Sequence, residues 1–295
     1  MTATTLRRIA MSIARHARQD GDMPTAIGGL FLSRRTSPSP AVHLAQGPMF
    51  GMVVQGKKSM GLGSEVRHYG VGDYLLVSFD VPVTSRIVRA TRETPQLGLG
   101  LEIFREDLHD VLDRLRRPSH PVAVPKHAGS IAVARASQDL LDATLRLLRL
   151  LDAPADIPVM APLVRQEIIY RLLLGPHGSQ LIQLANANSP GSRIAKAIDW
   201  LRQHYAAPLR MAELARHAGM SESSLYHHFK AITRLTPVQY QKRLRLHEAR
   251  RLIQLEHSDI ASAGYAVGYQ SRSQFSREYR RLYGLPPALD MKVGI

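Results

Sequence analysis

Two stretches of this chain carry the residues whose types and spacing could do chemistry. They are "MAELARHAGMSESSLYHHFKAITRLTP" at 211–237 and "IASAGYAVGYQSRSQFSREYRRLYGLPP" at 260–287. Met211, Ala212, Ala215, Ala218 and Gly219 match Ile260, Ala261, Gly264, Val267 and Gly268 at a shift of 49. After one extra residue, Leu225, Phe229, Lys230, Leu235 and Pro237 match Phe275, Tyr279, Arg280, Leu285 and Pro287 at a shift of 50. The chain therefore repeats one supersecondary unit. Each copy reads as helix, tight turn, helix, with Ser221 or Ser271 capping the second helix and Gly219 or Gly268 in the turn. With Leu225 and Phe229, or Phe275 and Tyr279, turned inward, the second helices present Ser223, Tyr226, His227 and Lys230 in one copy. In the other they present Arg272, Ser273, Arg277, Arg280 and Arg281. These are hydrogen-bonding groups and cations, with no Ser/His/Asp motif and no paired acids among them. Their chemistry is recognition: such a helix lies in a DNA major groove with its N-terminal side chains at the base edges.

The elements that must position those faces are legible around them. Between the copies, "PVQYQKRLRLHEARRLIQLE" predicts a long helix, with Leu246, Ala249 and Ile253 on one side and Lys242, Arg243, Arg250 and Arg251 elsewhere. Such a helix holds the two units at fixed separation, and a spacing of roughly 34 Å places both in successive major grooves, about 10 base pairs apart. Ile194, Ala197, Ile198, Trp200 and Leu201 predict the core face of a helix preceding the first unit. Tyr265, Tyr269 and Tyr283 read as packing residues.

Composition agrees with a polyanionic partner. The 295 residues carry a formal net charge of +15, and residues 192–295 hold 17 Lys/Arg against 8 Asp/Glu, which is +9 of that excess. The absence of cysteine excludes disulfides, thiolate zinc sites and a cysteine nucleophile. No run approaches a membrane span, and "TTLRRIAMSIARHARQDGD" reads as a short amphipathic helix rather than a secretory signal, because Arg and His interrupt its apolar stretches. No Ser/His/Asp motif, Gly-rich phosphate loop or dinucleotide fingerprint stands out, so the expectation is a protein that is not an enzyme and needs no cofactor.

Upstream, "FGMVVQ", "YLLVSFDVPV" and "LGLGLEIF" are short strands separated by turn signals such as "GVGD", and residues 26–104 predict a β-sandwich or small barrel. "REDLHDVLDRLRR" is helical, and "PSHPVAVPKHAG" is a Pro/Gly-rich connection. Residues 131–151 predict one helix with a leucine stripe of Leu140, Leu141, Leu147, Leu148 and Leu151, which packs on its own domain or on a second copy of the chain. "QLANANSPGS", 183–192, reads as the linker.

Residues 192–290, through "LRLHEARRLI", "GYQSRSQFSREYRRLYG" and the closing "PP", resemble the DNA-binding domain of the AraC/XylS family of bacterial transcription regulators. "VVQGKK", "VGDYLLVSFDVPVTS" and "PQLGLGLEI" resemble that family's cupin-like sensor domain, and "LLLGPHGSQLIQLA" its helical connector. The resemblance implies an α+β multidomain fold. It consists of a cupin-like β-sandwich over 20–105, a helical connector and dimerisation region over 106–182, the linker, and an all-α domain over 193–290 with two helix-turn-helix units joined by a long helix. It further implies base reading by Ser223, Tyr226, His227, Arg272, Ser273 and Arg277, and phosphate contacts by Lys230, Arg234, Arg280 and Arg281. His227 departs from the Arg or Gln often found at its position. The expected function is a sequence-specific, effector-responsive transcription regulator that is cytoplasmic and nucleoid-associated. Its expected partners are double-stranded promoter DNA, a small-molecule effector, RNA polymerase and a second copy of itself, with no membrane. The effector is expected in the β region against Phe50, Met52, Val54, Leu76, Phe79 and Leu101. The alternatives are a non-specific architectural DNA-binding protein and a cupin enzyme with an accessory DNA-binding domain. His43 and His68 are the metal candidates, with Glu65 nearby in sequence, and the cupin metal cluster of two His separated by one residue and followed by Glu is absent, so no metal is expected.

Overall fold

A computed structural model describes residues 2–115, 129–186 and 189–293. Among these residues, ten strands form two antiparallel sheets. The first holds six strands in the order β1 (Gly21–Pro24), β2 (Leu30–Arg35), β9 (Gln96–Glu102), β4 (Met49–Gln55), β7 (Asp73–Val77) and β10 (Ile131–Arg135). The second holds β3 (Val42–Gln46), β8 (Val81–Arg89), β5 (Lys57–Leu62) and β6 (Glu65–Gly70). The six-stranded sheet is buried on both faces, which is why β4 reads "MFGMVVQ" with no polar residue before its last position. Odd-numbered Met49 and Gly51 face the second sheet. Phe50, paired with Leu76 and Leu101, faces the other way, where α1 (Thr2–His16) packs across β2, β4 and β9. Leu6, Ile9 and Ile13 are the buried stripe of α1.

α2 (Arg105–Leu115), α3 (Gln138–Arg149), α4 (Ile157–Leu173) and α5 (Gly178–Ala185) follow the sheets. The single helix expected over 131–151 does not form. Ile131–Arg135 instead pairs along the edge of β7, with Ile131 opposite Val77 and Arg135 opposite Asp73. The helix starts only where Ser137 accepts from Leu140 N as N-cap. The alternation of Ile131 and Val133 completes a sheet edge, an advantage that helical propensity cannot offset. Leu140, Leu141, Leu147 and Leu148 are all buried at 2% exposure or less. They pack against α1 and α4, and Leu151 is half-buried just beyond the helix. The leucine stripe is therefore internal packing and not a free dimer face. Of the expected linker, residues 183–185 end α5 and residues 190–192 begin α6 (Pro190–Gln203), while 187 and 188 lie outside the described residues. The Pro/Gly-rich connection lies, except for Gly129, outside the described residues.

The C-terminal region continues with α7 (Met211–Ala218), α8 (Glu222–Thr233), α9 (Pro237–Leu255), α10 (Ile260–Ala266), α11 (Arg272–Tyr283) and α12 (Pro287–Val293). α9 opens on a capping box between Thr236 and Gln239, with Pro237 at its first position. One apolar core runs from Leu6 through the sandwich into Leu214, Leu225, Phe229 and Tyr240. A separate, smaller core of Leu246, Ala249, Ile253, Ala263, Val267, Phe275 and Tyr279 builds the second helical unit. Among the described residues no helix is long and apolar enough to cross a membrane.

Candidate nucleic-acid interface and effector cavity

The two units are built as the repeat dictates. Ser221 accepts from Ser224 N at 3.3 Å and Ser271 from Gln274 N at 3.4 Å, so the same cap starts both α8 and α11. Gly219 and Gly268 both hold positive φ in the turns. The two glycines differ in surroundings. A Cβ on Gly219 would meet nothing within 4 Å, whereas one on Gly268 would lie 2.1 Å from the Ala206 carbonyl oxygen. That close approach is fixed by Arg245 of α9, whose guanidinium donates to the carbonyls of Tyr205, Ala206, Ala207 and Gly268 at 2.6 to 3.1 Å. The second turn is thereby tied to the loop after α6.

Apolar spacing aims the recognition faces. Leu225, Phe229, Phe275 and Tyr279 are buried, and Ser223, Tyr226, His227 and Lys230 of α8 are exposed, as are Arg272, Ser273, Arg277, Arg280 and Arg281 of α11. The arginines divide sharply by environment. Arg250 makes a two-pronged pair with Asp290, and Arg251 binds Glu248 and Glu256. Arg243 donates to the Pro82 carbonyl at 3.3 Å. Arg272, Arg277, Arg280 and Arg281, all on one short helix, form no ion pair among the described residues. Four guanidinium groups without an ion pair over about three turns attract phosphate, although Arg272 also acts at longer range on Asp259.

The remaining charges of this unit hold the scaffold. Burial alone would raise Glu278, but hydrogen bonds from Lys242 Nζ and the Tyr269 hydroxyl, both at 2.8 Å, outweigh it and hold the carboxyl below its usual range. Tyr269 and Tyr283 pack as expected, with Tyr269 buried and Tyr283 half-buried. Tyr265 is 58% exposed, contrary to its reading as packing, because it falls on the outer side of α10. Burial pulls His247 down to about 4, assisted by His43, Arg243 and Arg250. The ring of His43 stands edge-on to Tyr283 at 5.3 Å between centroids, and His68 is exposed on β6. No cluster of three metal-ligating side chains occurs among the described residues.

Arg234 stands apart from the other residues expected to touch phosphate. It ends α8 in the left-handed region at φ 58°, where the second unit has Gly284 at φ 80°. Its Nε lies 2.9 Å from Glu65 Oε1 on β6. The neighbouring Ser130 donates from N and Oγ to the Ile232 carbonyl at 3.2 and 2.5 Å. Together with Tyr240 Oη, which donates to the Asp80 carbonyl at 2.9 Å, these contacts seat the first helical unit on the sandwich.

A cavity of about 100 Å³ lies between the two sheets, lined among others by Phe31, Ser33, Met49, Gly51, Lys58, Met60, Leu75 and Gln96. Of the six residues expected to form an effector pocket, only Met52 lines it. Phe50, Leu76 and Leu101 belong to the opposite face of the sheet, one residue out of phase. Val54 sits at the irregularity in β4 between Val53 and Gln55. Phe79 lines a second cavity, of about 200 Å³, with Ile103, Arg105, Leu184, Ala195 and Asp199, where the sandwich meets α6. The sequence did contain the signal for the interior face. "LGLGLE" places Leu97, Leu99 and Leu101 on one side and Gly98 and Gly100 on the other. Gly100 pairs with Gly51 across the sheet. Lys58, in phase with Met60 and Leu62, was the other sign.

Residues 26–180 match the model of the AraC-type transcriptional regulator N-terminus, and residues 214–290 match that of a helix-turn-helix domain. Among curated proteins the chain is 27% identical over 161 residues to the HTH-type transcriptional activator RhaS of Salmonella schwarzengrund, covering 54% of this chain and 57% of that one. It is 35% identical over 89 residues to the probable transcriptional regulator LumQ of Photobacterium leiognathi, covering 30% and 36%. The chain thus spans about half, or less, of the length of these curated relatives. Among solved structures it resembles ToxT of Vibrio cholerae crystallised with an unsaturated fatty acid bound. The TM-score is 0.58 at 9% identity, over 89% of this chain and 94% of that one, a likeness of fold alone.

Proposed function

The chain belongs to the family of AraC-type transcriptional regulators, and from that premise we propose that it is a sequence-specific DNA-binding regulator whose N-terminal sandwich responds to a small molecule. The observation that carries the reading is the contrast among its arginines. Those of α9 are bound to acceptors of the protein itself, while Arg272, Arg277, Arg280 and Arg281 of α11 form no ion pair among the described residues, Arg272 acting on Asp259 only at longer range. Arg277, one turn into α11, makes the bidentate contact to guanine that is the commonest specific readout. Arg272, Ser273, Ser223, Tyr226 and His227 read neighbouring edges, and Lys230, Arg234, Arg280 and Arg281 hold phosphates and set the register.

The sandwich and connector, over 20–105 and 106–182, form the sensing region, to which β10 also contributes; 193–290 forms the DNA-binding region. Effector occupancy reaches DNA through the continuous core that joins the sandwich to the first helical unit. ToxT holds a fatty acid in its crystal structure; an effector for this chain is inferred by that likeness and from the interior cavity. The protein acts in the cytoplasm on promoter DNA, with RNA polymerase and a second copy as further partners. The leucines of α3 do not supply the dimer contact, since they are buried within the chain.

Selection of sheared genomic DNA by the purified protein at physiological salt, followed by sequencing, tests this reading. Enrichment of a few upstream fragments sharing two short elements about one helical turn apart is the expected result. Retention without enrichment would leave only phosphate grip and replace the regulator with an architectural protein.

A further inference from the structure

The interior cavity lies where neighbouring strands carry glycines on the face toward the second sheet. Gly51, Gly98 and Gly100 lie on adjoining strands in register, Gly51 opposite Gly100 and Val53 opposite Gly98, and all face the second sheet. Without side chains there, the space between sheets is filled only partly, by the Phe31 ring over Gly100 and by Met49 beside Gly51. Two polar groups reach the cavity without satisfaction from the protein. Gln96 is fully buried, and its carbonyl oxygen accepts from Ser33 at 3.4 Å, but its Nε2 has no hydrogen-bond partner. Lys58 has no carboxylate within ion-pair distance and no hydrogen bond among the described residues. Asp22 also lines the space, but its carboxylate is paired with Arg35 Nη2 at 3.1 Å and is half exposed, so it marks the rim.

We propose that this cavity is a binding site for a short-chain carboxylic acid, whose carboxylate is held by Lys58 Nζ and Gln96 Nε2 and whose apolar body rests on Met49, Met60, Leu75 and Phe31. Gln96 Nε2 lacks an acceptor and the half-buried Lys58 ammonium lacks an ion pair, so the pair suits a ligand head that accepts hydrogen bonds and carries negative charge. Burial pulls Lys58 below the ordinary lysine range, with Asp22 opposing, so a counter-charge entering the cavity relieves a standing cost. Volume sets the length. At about 100 Å³ the space holds an acid of about three to six carbons. It is too small for a long-chain acid, which needs a pocket of roughly 300 Å³ or more. The inference rests on the effector-sensing reading and names the class of its ligand.

The test measures the thermal shift and calorimetric binding of full-length protein with straight-chain acids from acetate to hexanoate and with benzoate, each against its primary amide. At least one acid is expected to bind saturably and about tenfold or more tighter than its amide, with Lys58→Met and Gln96→Leu each losing that preference. Lys58→Met is itself expected to raise the melting temperature of the free protein modestly, because it removes a half-buried charge that has no ion pair. Gly51→Ala, whose methyl would meet chiefly the flexible end of Met49 at 3.3 Å, narrows the cavity and is expected to favour the shorter acids. If no acid exceeds its amide, or if Lys58→Met binds as well as the wild type, the carboxylate assignment is overturned. DNA affinity measured with and without the bound acid separates the two claims. Binding in the cavity with no change in DNA affinity would sustain the site and overturn the effector reading.

Discussion

Replacing Glu65 by Gln should tighten DNA binding, although the residue lies on β6 of the sandwich. Glu65 Oε1 is 2.9 Å from Arg234 Nε, and Arg234 is the one proposed phosphate contact whose guanidinium is already held by a carboxylate. Removing that carboxylate's charge frees the guanidinium for phosphate. The size of the effect follows from exposure. The two side chains are 43% and 38% accessible, and Glu65 is also approached by Arg67 at 3.4 Å, so the pair is solvent-screened and shared. Such pairs contribute about 0.2–1 kcal/mol, so affinity should rise by about 1.4- to 5-fold and not more. The hydrogen bonds from Ser130 to Ile232 survive the substitution, so the first helical unit stays seated and the effect is confined to the guanidinium. Fluorescence anisotropy with a selected site and a scrambled duplex measures it. The gain should be equal on both, shrink as salt rises, and vanish in an Arg234→Gln background. A loss of affinity, or a gain that persists without Arg234, would refute the reasoning.

Arg277→Ala should relax sequence preference at one position of the selected site, costing about 1–3 kcal/mol there. Arg281→Ala should weaken all sequences alike and reduce the salt slope by about 1; binding of a single-base variant panel across salt distinguishes them. The two turn glycines should differ in cost. Gly219→Ala forces only a left-handed alanine, about 1–2 kcal/mol, whereas Gly268→Ala adds a contact of 2.1 Å with the Ala206 carbonyl and should cost clearly more; urea titration of each variant decides it. Acid should destabilise the protein through His247. Its value falls from 6.5 to about 4 on burial, so the neutral ring's contribution is complete above pH 6.5 and is lost as pH drops towards 4. The loss is on the order of 3 kcal/mol, and a His247→Gln variant with the same pH dependence of unfolding would exclude this source.

What the sequence determined by itself was whatever is encoded locally and twice over. The repeat located both helical units, both serine caps and both turn glycines, because capping and positive φ depend on a residue and its neighbours within about four positions. Periodicity likewise aimed the recognition faces, since Leu225, Phe229, Phe275 and Tyr279 mark the buried side of each helix. The tertiary structure decided what depends on distant partners. Residues 131–135 became a strand because β7 offered an open edge, and the leucines of α3 turned inward because α1 and α4 were there to cover them. Which face of β4 lines the cavity was a matter of one residue's phase, which apolar composition on both faces conceals. The basic residues show the same division. Their number foretold a polyanionic partner, but charge counts cannot tell Arg245, bound to four carbonyls, or Arg234, held by Glu65, from Arg277, which has no partner among the described residues. That distinction exists only once the chain has brought acceptors from far along the sequence within about 3 Å of each guanidinium.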